Sequence, residues 1–485
     1  MDANSRRPGA DRLPVLLTAA VLLLALLAHA PHGLPFSWDD QGQYLSHARA
    51  LLEGRPYGDI GFITTPYNNF IGPVVAPPGL PLLITPALAL GGGSVIPVRI
   101  VIVLSMLGLA LLAWTLAERS AGRWVASAVV MASVAAFAQQ HAFDGILADL
   151  PFAMAIWIVI LAGESDRPLD RGRLAAMAFA GALAFSLRMA ALALLPALAL
   201  FALLRPRREW GGLAVVGLVW AVAAALVLFG LPTSSALATE ATRGASDMMG
   251  DAVGNLMAMM YGALEGFLYP FPSAIANDVW HVLALALAAL GAWQIVRTRH
   301  RRFAVCFAIA YVAMLVVIPT NAVRYWWPLV PLQWYALFEG AAVIVRRLAP
   351  AVARWWPGPI IAVLSLAAIA RSIPEPEVPF GERPELRDVI AAIESSAGTG
   401  DTARVWINAP RLFTWHTRIP AMGQFVATPD ETLAELRARR ITFLVRGLAG
   451  AHDFRPFIDS TIAAHPAAFD RLGQFGDLTL FKVLP

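Results

Sequence analysis

Ten long apolar runs divide this chain, and they constrain its fold more than any other feature. A window of about 19 residues finds them near 13–30, 98–117, 124–140, 147–162, 174–204, 211–231, 280–296, 303–319, 326–345 and 356–371. A helix needs about 20 apolar residues to cross a bilayer, so each run is a candidate span. The run at 174–204 is too long for one crossing, and Arg188 splits it into two short halves. Eleven membrane passes are therefore expected, two of them short. Of the 485 residues, 58% are hydrophobic and only 14% charged, whereas an ordinary soluble domain carries about 25% charged residues. That excess has no soluble core to enter. A soluble multidomain enzyme and a disordered chain are both excluded, and a polytopic α-helical membrane protein is expected.

Charge adds an orientation. The net charge is +4, and Lys482 is the single lysine among 37 basic residues. These residues sit in short runs between apolar segments, without the stripe a nucleic-acid binder shows. With the N-terminus placed in the cytoplasm and the spans alternating, eighteen arginines fall inside, from Arg6 to Arg354, and six fall outside. This positive-inside bias predicts a cytoplasmic N-terminus and an extracytoplasmic C-terminus. Residues 6–30 also resemble a secretory signal ending in Ala28-His29-Ala30. The segment before Pro31 is long enough to span, so an uncleaved first helix is expected. Cys306 stands alone in an apolar run, which excludes a disulfide framework and a cysteine metal site.

Residues 1–372 are thus expected to form the membrane domain. Two large outer loops belong to it, 31–97 and 232–279. The first holds Trp38-Asp39-Asp40, Asn68-Asn69 and a Pro-rich segment from Ala76 to Pro81. The second is Met-rich around Met248, Met249, Met257, Met259 and Met260, a spacing that predicts an amphipathic helix in the interface. Residues 373–485 follow a linker with Pro374, Pro376, Pro379 and Pro384, and read as a small extracytoplasmic α/β domain. Strand-like runs lie at Arg404–Asn408, Ile441–Arg446 and Leu478–Val483, with helical runs at 385–396, 430–440 and 454–465. Nucleotide-binding, metalloprotease and serine-hydrolase motifs are absent, so the tail reads as a binding or covering module.

Ionisable side chains at membrane depth are costly and need reasons. Asp39 and Asp40, Asp144 and Asp149, Arg188, and Arg324 all fall on the outer face under this topology. Each has a structural reading of its own. The aspartates are helix-start residues, Asp149 with Pro151 close behind. Arg188 can snorkel, and Arg324 can stack on Trp326 or Trp327. Caps and snorkelling side chains have no reason to share one face, however. A carboxylate beside an acceptor hydroxyl is a general base, and a guanidinium holds and neutralises a phosphate. Together they predict a reaction between a lipid-phosphate donor and a nucleophile at the outer surface.

These same residues resemble a known pattern. Trp38-Asp39-Asp40-Gln41-Gly42-Gln43-Tyr44-Leu45, then Ala48-Arg49-Ala50-Leu51-Leu52-Glu53-Gly54, resembles the first-loop motif of the GT-C glycosyltransferase superfamily, in its protein O-mannosyltransferase and aminoarabinose-transferase branch. Pro77-Pro78-Gly79-Leu80-Pro81, Phe143 to Pro151, and Arg324-Tyr325-Trp326-Trp327-Pro328-Leu329-Val330-Pro331 are similar to three further segments of that pattern. Gln41 departs from it, standing where the superfamily usually has Glu. The resemblance implies an inverting glycosyltransferase of a bacterial inner membrane. It would move a hexosyl or pentosyl group from a polyprenyl-phosphate donor to an extracytoplasmic lipid, glycan or protein. It implies Asp40 as base, with Asp39 and Asp149 beside it, and Arg188, Arg324 and Tyr325 at the donor phosphate. No metal or other cofactor is implied. A transporter or flippase of a lipid-linked sugar is the alternative. Such a protein should hold its ionisable residues near the midplane in paired repeats, and neither feature is visible.

Overall fold

A computed structural model of the protein describes residues 12–29, 39–67, 77–143, 145–164, 168–229, 254, 274–297, 302–317, 323–352, 356–373, 378–397, 403–447 and 454–485. Trp38, Asn68, Asn69, Asp144 and the Met-rich part of the 232–279 loop lie outside these residues.

The bundle begins with α1 (Leu13–Ala28), followed by α2 (Asp39–Leu52), α3 (Gly79–Leu90), α4 (Ile96–Ala121), α5 (Arg123–Gln139) and α6 (Asp149–Gly163). It continues with α7 (Arg171–Leu187), α8 (Leu194–Leu203), α9 (Trp210–Phe229), α10 (Ala274–Arg297), α11 (Arg302–Val317), α12 (Val330–Leu348) and α13 (Gly358–Arg371). Among the described residues, four helical stretches are long and apolar enough to cross a membrane: Ile96–Ala121, Arg207–Leu228, Val279–Arg297 and Arg324–Leu348. Seven shorter apolar helices accompany them among the described residues. Leu16, Leu111, Leu218, Leu226 and Val282 are exposed on helices of this kind, where lipid is the solvent that accepts them.

Composition decides which helix sits at the centre. Helix α5 is rich in Ala, Ser and Val and is buried continuously from Val125 to Ala138, as expected of a helix apolar on every side. It packs against α1, α4, α12 and α13. Small residues also set the closest crossing. A Cβ on Gly291 of α10 would lie 1.7 Å from the Ala336 carbonyl oxygen of α12, so only glycine permits that approach. The long run at 174–204 divides where the charge predicts. Helix α7 ends at Leu187, Arg188 is extended (φ −152°, ψ 142°), and a 3-10 turn, Met189–Ala193, leads into α8. Helix α3 lies within the first loop and had no separate signal in the pattern of spans.

The tail supplies α14 (Pro384–Ser396), α15 (Pro410–Thr417), α16 (Pro429–Ala438) and α17 (Arg455–Ala464), with α16 opening on a Thr428–Glu431 capping box. Its strands pair with one from the first loop. In chain order they are β1 (Phe62–Ile63), β2 (Val405–Ile407), β3 (Ala421–Gly423), β4 (Phe443–Arg446), β5 (Phe469–Phe475) and β6 (Leu478–Val483). They form one sheet in the order β1-β3-β2-β4-β6-β5. The first four positions run parallel, with Phe62 opposite Ala421 and Val405 opposite the same residue on the other side. The β5–β6 hairpin closes the far edge antiparallel. The first loop and the tail therefore share a sheet, and the site lies beneath this joint.

Candidate active site

Helix α2 opens with two carboxylates in its first turn, where unpaired N–H groups favour negative charge. The next residues are buried and hold the helix in place. The Ile146 amide donates to Gln41 Oε1 at 3.3 Å, which ties α2 to the segment preceding α6. Gly42 lies against the start of α15, where a Cβ would come within 2.5 Å of the Arg411 carbonyl carbon and the Leu412 nitrogen. Two helices from opposite ends of the sequence are thus brought into backbone contact.

Asp39 and Asp40 face different partners. Pro410 is the first residue of α15 and has no N–H, so the first free amides of that helix belong to Arg411 and Leu412. Both donate to Asp39 Oδ1, at 3.1 and 2.9 Å, and Arg411 Nε donates to Asp39 Oδ2 at 2.6 Å. Asp39 therefore caps a helix that is not its own. Asp40 lies between two guanidinium groups: Arg411 Nη1 is 2.8 Å from Oδ1 and Arg324 Nη1 is 2.9 Å from Oδ2. Arg411 Nη1 also donates to Gln43 Oε1 at 2.8 Å.

Electrostatics separates the two acids. Burial raises the Asp39 carboxyl, against the pull of Arg411 and the Leu412 amide. Burial acts on Asp40 in the same direction, but Arg411, Arg324 and Arg188 together outweigh it and hold Asp40 below the usual carboxylate range. Burial pushes the Tyr44 phenol, one turn along α2, up to about 12, so it remains a neutral hydroxyl.

The other ion pair lies deeper. Asp149, at the start of α6, accepts from Arg188 Nη1 at 2.6 Å, and the two side chains are 2% and 12% exposed. The break between α7 and the 3-10 turn allows Arg188 to turn inward. Its guanidinium carbon lies 4.4 Å from the centre of the Tyr325 ring, a cation–π contact. Arg324 and Tyr325 belong to a 3-10 turn, Val323–Leu329, that precedes α12. Neighbouring side chains brace this turn. Tyr311 donates to the Tyr325 carbonyl at 2.8 Å, Trp157 donates to the Pro328 carbonyl at 2.9 Å, and Trp327 donates to Gln140. The Arg324 guanidinium lies 6.0 Å from the Tyr325 ring centre and pairs with Asp40.

Asp39, Asp40, Asp149, Arg188, Arg324 and Tyr325 are thus gathered at one end of the bundle, linked by ion pairs and by the Arg188–Tyr325 contact. Asp149 faces Arg188, not Asp40. Arg411 is the residue that sequence reasoning did not find. The strand at 404–408 was legible, but nothing in Ala409-Pro410-Arg411-Leu412 marks a helix start aimed at an aspartate 372 positions earlier. Pro410 as a first helical residue was the available signal. Among the described residues no three His, Cys, Asp or Glu side chains gather to hold a metal.

No protein-family model matches this chain, and no curated protein matches it in sequence. Solved structures do. The crystal structure of ArnT from Cupriavidus metallidurans in the apo state is similar with a TM-score of 0.59 and 15% identity, over 98% of each chain. The same protein bound to undecaprenyl phosphate gives 0.58, 15% and 98% of each chain. The archaeal oligosaccharyltransferase AglB from Archaeoglobus fulgidus, in complex with an inhibitory peptide and a dolichol-phosphate, gives 0.57 and 13%, over 89% of this chain and 69% of that one. The chain has the fold that ArnT and AglB share.

Proposed function

We propose that the protein is an inverting glycosyltransferase of a bacterial inner membrane. It takes a sugar from a polyprenyl-phosphate donor and passes it to a hydroxyl acceptor on the extracytoplasmic side. The observation that carries this reading is the placement of the Asp40 carboxylate, held below its usual range, against the Arg324 guanidinium and within the field of Arg188 at one end of an apolar bundle. The fold's solved relatives, bound to undecaprenyl phosphate and to dolichol-phosphate, supply the ligand class.

The chemistry follows from the geometry. Arg188 and Arg324 hold the donor phosphate, and the low-dielectric rim strengthens those contacts relative to water. As the phosphate takes up Arg324, Asp40 Oδ2 is left facing the acceptor. Asp40 accepts the acceptor proton while the acceptor oxygen bonds to the anomeric carbon. The bond from that carbon to the phosphate oxygen breaks, its electron pair stays on the phosphate, and the two arginines neutralise the charge. Asp149 and the Tyr325 ring hold the Arg188 head group in place, and Asp39 anchors α15.

The test is release of radiolabelled sugar from a panel of polyprenyl-phosphate sugars by purified protein, with water as fallback acceptor. The wild type should release sugar from at least one donor. The Asp40→Asn variant should fold normally and release it on the order of 10²–10⁴-fold more slowly. Movement of a labelled lipid across reconstituted vesicles, without hydrolysis, would instead establish a flippase.

A further inference from the structure

The contact between Arg411 and the two aspartates joins the tail to the candidate base, and it is built like a fixture. Arg411 is 11% exposed. Its guanidinium is held on three sides, by Asp39 Oδ2 at 2.6 Å, Asp40 Oδ1 at 2.8 Å and Gln43 Oε1 at 2.8 Å. Its own amide and the next one are fixed on Asp39 Oδ1. The helix that carries it meets α2 at Gly42 with no space for a Cβ. An exposed arginine–carboxylate pair is mobile and contributes little. Here backbone, side chain and helix packing all fix the same guanidinium.

We propose, resting on the transferase reading above, that Arg411 is a positioning residue. By pinning Asp40 Oδ1 it aims Oδ2 at the acceptor hydroxyl, so transfer requires the tail to be docked on the first loop. Asp39 then serves chiefly as the anchor of α15, and the two adjacent aspartates have different tasks. This accounts for a tail that carries no catalytic motif and still reaches the site.

Among the described residues, few charged and titratable groups face Asp40. Asp39 and Tyr44 lie on its own helix, Arg411 comes from α15, and Arg188 and Arg324 come from the bundle with Asp149 behind them. Helix α3, packed on α2 from another side, carries no ionisable residue. The sign of the pH effect follows. Asp40 must be ionised to accept a proton, so activity is lost as pH falls through its folded pKa. Arg411 lowers that value, and its removal moves the acid limb of the rate profile to higher pH.

The full-length Arg411→Gln variant keeps both backbone amides on Asp39 and removes only the guanidinium. Its kcat should fall on the order of 10²-fold with donor KM changed less than about threefold, since geometry and not binding is lost. Its acid limb should shift upward, and Arg411→Lys should restore part of that shift. An infrared titration, which needs no substrate, should show the carboxyl band absent from Asp40→Asn titrating at higher pH in Arg411→Gln than in the wild type. A slower variant with an unmoved limb and band, or a variant indistinguishable from wild type, overturns the proposal and leaves the transferase reading standing. A wild type that releases sugar from no donor removes that reading and the catalytic half of this one. The infrared shift then reports an ion pair alone.

Discussion

At the scale of single residues, the site is a set of ion pairs whose cost depends on depth. Arg188 and Asp149 are almost fully buried, so each is the other's solvation. Removing one partner leaves an unpaired charge, whereas removing both leaves an apolar gap. Asp149→Leu should therefore lower stability by about 3–5 kcal/mol, measured by thermal unfolding of the purified protein. Adding Arg188→Met should recover most of that loss while transfer stays absent. Recovery of activity along with stability would show that Arg188 does not hold the phosphate. The Asp40 pairs are less deeply buried, so Asp40→Asn should change rate far more than stability. The aspartates, Arg188 and Arg324 stood out because charge beside an apolar sequence is conspicuous, whereas Tyr325 was named only through the motif it shares with Arg324. Arg411 was not, because an arginine in a polar tail carries no such contrast.

At the scale of elements, the decisive contact is the crossing of α2 and α15. Gly42 makes it possible, and the Asp39 cap gives it direction. Gly42→Ala would place a methyl group 2.5 Å from the α15 backbone, so the helices must separate. The expected result is a tail cut more readily by added protease, with transfer slowed at least as much as in Arg411→Gln. Unchanged proteolysis and rate would mean that α15 tolerates a shift of this size. Most bundle helices and the three tail strands near 404, 441 and 478 could be read from hydrophobic runs. Helix α15 and strands β1, β3 and β5 could not. The short segments of α15, β1 and β3 gain their stability from packing and pairing with distant chain, and β1, at two residues, has no pattern of its own.

At the scale of the whole molecule, one question is which side of the membrane holds the site. The arginine asymmetry predicts the extracytoplasmic side. Asp470 is exposed on β5, at the sheet edge farthest from the first loop, so Asp470→Cys offers a reporter. An impermeant maleimide should label it in intact spheroplasts, in a Cys306→Ser background. Labelling only after lysis would place the tail and the site in the cytoplasm. The sequence by itself determined that the chain is a helical membrane protein, where the 174–204 run breaks, and which charged residues needed an explanation, since apolar length and stray charge are local properties. Only the tertiary structure decided which acid meets which arginine and that the tail reaches the site. Those facts depend on contacts that span from 39 residues, for Asp149 with Arg188, to 372, for Asp39 with Arg411, the longest closed by a glycine, a helix end and a shared sheet, and no local pattern encodes such separations.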